Sequence, residues 1–164
     1  MTRLTVCALA LLLSATPSHA EEKKPGISLS FSSEDSRTQV GPRRSARDAR
    51  LAITTRDGAV SLLLLSDVVA IQLTDRTLAN ISSDDASFLE ELLASGVRMA
   101  MRKAVEYPIA SLRSVTLRDG ALVFTNDRNQ PVFTEIRVNG REVLRDFAPA
   151  DAARLVRAFA AAKR

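Results

Sequence analysis

The chain has 164 residues, with 23 Lys and Arg against 19 Asp and Glu, a formal net charge of +4, one His and one Cys. Cys7 and His19 both fall in the first twenty residues. If that segment is removed, the remainder can form no disulfide, thiolate nucleophile, Ser-His-Asp triad or His- or Cys-ligated zinc site. Such a chain is the length of one domain and buries roughly 68% of its unfolded surface without a staple.

Residues 1–20 have the three-part layout of a secretory signal peptide: Arg3, the apolar run Leu4 to Leu13, and Ser18-His19-Ala20 before the expected cleavage point. Cys7 lies inside the apolar run, too early for a lipoprotein signal. No later segment has the length of a membrane span, since the stretch Leu62 to Leu73 is interrupted by Ser66 and Asp67. The mature chain carries +3, and so does the decapeptide Gly41 to Arg50, through Arg43, Arg44, Arg47 and Arg50 against Asp48. The positive charge is one segment and not a surface, which argues against a nucleic-acid partner. Eighteen Arg against four Lys after residue 20 fits a GC-rich bacterial gene, so the expectation is a periplasmic or secreted bacterial protein.

From residue 21 to 50 the sequence is polar, with Pro25, Gly26, Gly41 and Pro42 as breakers, and reads as a partly disordered arm before one globular domain over 51–164. Within it Ile27, Leu29 and Phe31 alternate with serines, the pattern of an added edge strand over 27–32. A first meander follows at about 51–74. An Asp57-Gly58 turn of the primed, two-residue type sets Arg56 opposite Ala59, Thr55 opposite Val60, Ile53 opposite Leu62 and Leu51 opposite Leu64. Ser66-Asp67 makes the next turn, and Leu63 and Leu65 point to the less apolar face, which implies that this face is partly covered too.

A central helix is expected over about 84–107, capped by Ser82 or Ser83, with Leu89, Leu92, Leu93, Val97, Met101 and Val105 at helical spacing and Pro108 as its stop. The second meander, about 112–147, repeats the tetrapeptide Arg-Asp-Gly-Ala at Arg118 to Ala121. The same register puts Leu117 opposite Leu122 and Val115 opposite Phe124, all in the core. Asn126 to Pro131 is a polar turn; Val132 to Val138 alternates as a strand; Asn139-Gly140 sets Arg137 opposite Glu142 and Ile136 opposite Val143. Pro149 opens a C-terminal amphipathic helix, about 149–163, whose stripe is Ala152, Leu155, Val156 and Phe159.

The class is therefore α+β: antiparallel sheet of two β-meanders with a central and a C-terminal helix. A strand-rich body finished by an amphipathic helix resembles the layout of pleckstrin-homology-like folds, which implies a bent barrel as the alternative. The inserted helix departs from that layout, and no family motif accompanies it.

No catalytic, cofactor or metal residues are expected. Asp57 and Asp119 belong to hairpin turns, Asp84, Asp85 and Asp151 to helix starts, and no Lys follows the S-x-x-K spacing. Asn126, Asp127 and Asn129 offer oxygens without calcium-loop spacing. Arg43, Arg44, Arg47 and Arg50 are the candidate contact with an anionic surface, against the simpler reading of a solvated linker. Phe133, on the polar face of its strand, is either covered by a helix or forms an exposed partner patch with Tyr107. The leading functional expectation is a non-enzymatic module that binds an envelope protein or an anionic envelope component. A small-molecule or lipid carrier with a cavity near Leu92, Met99 and Met101 comes second, and a carboxylate-based hydrolase third.

Overall fold

The run from Val60 to Leu73 lies at the centre of the fold because its strands are apolar on both faces. The computed structural model describes residues 29–30, 35–84, 103–134, 136–138 and 141–163. β2 (Gln39–Pro42), β3 (Leu51–Thr54), β4 (Val60–Leu64), β5 (Val68–Leu73) and β6 (Lys103–Pro108) form one antiparallel sheet in the order β2-β6-β5-β4-β3. β7 (Leu112–Arg118), β8 (Ala121–Asn126) and β9 (Pro131–Val132) form a second sheet. A short ribbon joins β1 (Leu29–Ser30), β10 (Arg137–Val138) and β11 (Arg141–Glu142). Two α-helices, α1 (Asp75–Asp84) and α2 (Pro149–Ala162), complete the described α+β architecture, in which no sheet closes into a barrel.

The core follows from strand alternation. Ile53, Leu62, Leu64, Val69, Ile71, Val105 and Tyr107 on the inner face of the large sheet meet Leu112, Val115, Leu122 and Phe124 of the small one, and α2 closes the layer with Ala152, Leu155 and Phe159. The leucine, isoleucine and phenylalanine side chains among these are fully buried, each contributing about 1.5–3 kcal/mol relative to exposure. Pro149 at the start of α2 supplies a preset helical φ and lacks the N–H that the first turn leaves unpaired. The outer face is covered as well: Leu63, Leu65, Ala70 and Ala104 are buried there under Ala49 and Val68.

Registers match the sequence expectation at Leu51–Leu64, Ile53–Leu62, Val115–Phe124, Leu117–Leu122 and Arg137–Glu142. The Asn139-Gly140 turn lies outside the described residues. Of the strand expected at 27–32, Leu29 and Ser30 pair with β10, and the other four residues lie outside the described ones.

Four expectations are corrected. First, Arg56 does not pair with Ala59. Thr55 N donates to Val60 O and Gly58 N to Thr55 O, leaving a four-residue loop in which only Gly58 is left-handed (φ 75°), and Arg56 N donates to Asp146 O instead. The second Arg-Asp-Gly-Ala is a true two-residue primed turn, with Asp119 and Gly120 both left-handed (φ 48° and 75°). Leu117, at its tip, is 39% exposed and not in the core.

Second, Ser82 and Ser83 do not cap a helix start: they lie inside α1, a helix not expected from the sequence, which begins at Asp75 with Thr74 as its cap through Thr77 N. Lys103 to Pro108, expected as the end of a helix, is a strand. Ala104, Val105, Glu106 and Tyr107 are buried on both faces, and a run buried on both faces cannot display strand alternation. Residues 85–102 lie outside the described residues.

Third, the strand expected from Val132 to Val138 breaks at Phe133, which is left-handed (φ 63°) and turned into the core. Fourth, residues 35–50, expected as part of an arm, are built into the domain: β2 is an edge strand on β6.

Candidate functional site

Because β2 and β3 occupy opposite edges of the large sheet, residues 43–50 must cross its outer face. This Arg-rich strap is held at its centre. Arg44 forks onto Glu106, Nε to Oε1 at 2.6 Å and one terminal nitrogen to Oε2 at 2.9 Å, and this carboxylate raises the guanidinium pKa. Gln72 reads the Arg44 backbone in both directions, accepting from its N–H (2.8 Å) and donating to its C=O (2.9 Å). Gly41 makes room for the ion pair, since a Cβ there would stand 2.8 Å from the Glu106 carboxyl. Ser45 then caps a single 3-10 turn, Ala46–Asp48, by accepting from Arg47 N.

The four arginines expected as a contact surface divide. Arg44 is a structural anchor. Arg43 reaches the Leu73 carbonyl and the Asp75 carboxylate, whose side chain is 97% exposed. Arg47 and Arg50 are exposed and have no side-chain partner among the described residues. Between the strap and the start of α1 lies an open recess of about 480 Å³, lined among others by Arg43, Arg44, Arg47, Ser61, Gln72 and Asp75. The arrangement presents fixed cationic hydrogen-bond donors around a polar floor, which suits an oxyanion.

A second polar cluster went unforeseen. Asp35, just before β2, accepts from Tyr107 Oη (2.6 Å), Asn126 Nδ2 (2.9 Å), Arg37 N (3.1 Å) and the Arg37 guanidinium (2.8 Å to Oδ2). Arg37 also reaches Asp127 and stands over the Tyr107 ring, 5.5 Å from its centroid. The Arg37 guanidinium holds the Asp35 carboxyl well below the usual carboxylate range, against the opposing effect of burial, and Tyr107 and Asn126 add to it. Burial first, then the Asp35 carboxylate, push the Tyr107 phenol up to about 12. Asn126 Oδ1 meanwhile accepts from Arg128 N and Gln130 N and so builds the 126–130 turn from within. With its oxygens engaged on several sides, this cluster clamps the segment before β2 to β6 and β8.

Phe133 and Tyr107, expected as an exposed patch, do touch, with ring centroids 6.0 Å apart at 74°, but both are buried, and Phe133 packs edge-on against Phe124 as well. Phe133 is the side chain that the small sheet turns inward to cover Tyr107, so it offers no partner surface. Asn126, Asp127 and Asn129 form a turn, and no group of metal-ligating side chains occurs among the described residues. Leu92, Met99 and Met101, named for a carrier cavity, lie outside the described residues. No helix among those described is long and apolar enough to cross a membrane. Comparison with protein-family models, with curated proteins and with solved structures finds no match to this chain.

Proposed function

We propose that the protein is an exported, non-enzymatic binding module that holds an anionic component of the cell envelope against the Arg43–Arg50 strap. The observation that carries this reading is that the strap is fixed to the sheet by Arg44, Glu106 and Gln72 while Arg47 and Arg50 are exposed and have no side-chain partner among the described residues. A flexible basic linker loses side-chain and backbone entropy on binding; a strap pinned in place has lost much of it on folding. Export is the reading of Arg3, the apolar run to Leu13 and Ser18-His19-Ala20. Sedimentation with vesicles containing an anionic phospholipid tests the surface. Binding at low salt that weakens as salt rises, and that is lost in Arg47→Ala/Arg50→Ala, is expected. Binding that is absent at low salt, or unchanged in that double variant, would falsify the reading.

A further inference from the structure

The geometry points to the recess between the strap and α1 as a discrete site for one phosphate monoester group, with the Asp75 carboxylate as the internal anion that the ligand displaces. Three cations line or border it, and their availability differs. Arg44 is committed to Glu106, a carboxylate only 8% exposed, and exchanging that partner would strand a buried charge. Arg43 keeps one terminal nitrogen on the carbonyl of buried Leu73, while its other is bound to a carboxylate that water reaches from nearly every side, an ion pair of the kind that contributes little and exchanges readily. Arg47 has no side-chain partner among the described residues to give up. The Arg47 fork and one terminal nitrogen of Arg43 are therefore open to an incoming anion at small cost.

The other donors decide between anions. The first intrahelical bond of α1 runs from Leu78 N to Thr74 O, so the N–H groups of Asp75 and Arg76 precede it, at the end of the recess lined by Thr74 and Asp75. The Ser61 hydroxyl, on the floor, makes no hydrogen bond to another described residue. Two guanidiniums, a hydroxyl and a helix start exceed what the two oxygens of a carboxylate can accept and match the three terminal oxygens of a phosphate ester. Such an ester also carries about −1.5 to −2 charge at neutral pH. A volume of about 480 Å³ is within the range of small-molecule sites and admits the group the phosphate is attached to.

The recess belongs to the anion-binding surface proposed above, but Arg50 lies outside it, so the two readings fail separately. Calorimetric titration of the full chain with inorganic phosphate, glycerol 3-phosphate and acetate at low salt tests it. Saturable one-site binding of both phosphates, none of acetate, loss in Arg47→Ala, weakening in Arg43→Ala and about two- to five-fold tightening in Asp75→Asn are expected. Circular dichroism confirms that these exposed variants fold. Absence of saturable phosphate binding, equal binding of acetate, or an affinity unmoved by Asp75→Asn would overturn the site. Retention on phosphatidic acid vesicles without binding of glycerol 3-phosphate would also overturn it, and would leave the strap as a membrane-surface contact through Arg47 and Arg50.

Discussion

Asp35 with Arg37 and Asp75 with Arg43 are two aspartate–arginine pairs within one small domain, and they do different work. The Asp35 carboxylate is 11% exposed and also receives Tyr107 and Asn126, residues from two other strands. Among the described residues the Asp75 carboxylate receives Arg43 alone, and it is open to water. Coulomb attraction at contact is weak in water and several times stronger near a low-dielectric wall, so the first pair fastens the chain while the second leaves its arginine exchangeable. What separates structural from available charge here is the number of donors and the exposure of the carboxylate, not the residue types.

The largest effect is expected at the fastened pair. Asp35→Ala leaves the Tyr107 hydroxyl buried without its acceptor, at ~1–3 kcal/mol, and the Asn126 amide with only the long contact to Gln130 Oε1 at 3.4 Å, so a loss of about 3 kcal/mol in urea unfolding is expected. A change below ~0.5 kcal/mol would show that the two clusters do not differ as described. Tyr107→Phe keeps the ring under Phe133 and removes only the hydroxyl on the carboxylate, for about 2 kcal/mol.

The same two groups set the pH response. A folded-state carboxyl pKa below its unfolded value gives stability that is complete above the unfolded pKa of ~3.9 and is lost as pH falls from there through the folded value. The Tyr107 phenol, raised to about 12 from 10.0, behaves oppositely: its contribution is complete below pH 10.0 and is lost as pH rises towards 12. Urea midpoints of the parent chain should fall at both extremes. The alkaline fall should shrink in Tyr107→Phe, and an identical alkaline slope in both proteins would refute the assignment.

The sequence made one half of this organisation legible. Leu51–Leu64 and Val115–Phe124 pairing followed from period-two patterning joined to a glycine turn. The turn type did not follow, since both copies read Arg-Asp-Gly-Ala. Preceding residues separate them: Thr55 Oγ1 donates to Asp57 Oδ1 (2.7 Å), whose oxygen also accepts from Ala59 N, and this bracing holds the wider loop. Leu117 has no such hydroxyl, and the second copy closes as the tight turn. The strap and the clamp left no local trace, because Arg44 is matched to Glu106 across 62 residues and Asp35 to Tyr107 and Asn126 across 72 and 91. A linker and a strap have the same composition; only their distant acceptors distinguish them.

Gly41→Ala carries the comparison into the strap. The added methyl would lie 2.8 Å from the Glu106 carboxyl, which must swing away and loosen its fork on Arg44. Overpacking costs ~1–3 kcal/mol and the stiffer unfolded chain returns ~0.4–1, so a net loss of about 1 kcal/mol is expected in urea unfolding. Stabilisation instead would mean that Glu106 has a second rotamer from which it anchors the strap equally well.

The smallest effect should come from the exposed pair, and its smallness is the informative result. Arg43→Ala removes a contact to the water-exposed Asp75 carboxylate and one hydrogen bond to the Leu73 carbonyl, so urea unfolding should move by about 0.5 kcal/mol. Arg43 and Arg37 each reach an aspartate from a segment beside β2, yet truncation at one position should be nearly silent. A loss above ~1 kcal/mol would mean that Arg43 secures the strap to the start of α1 and is not free to turn towards a ligand. The exchangeable cation assigned to the recess would then be reduced to Arg47 alone.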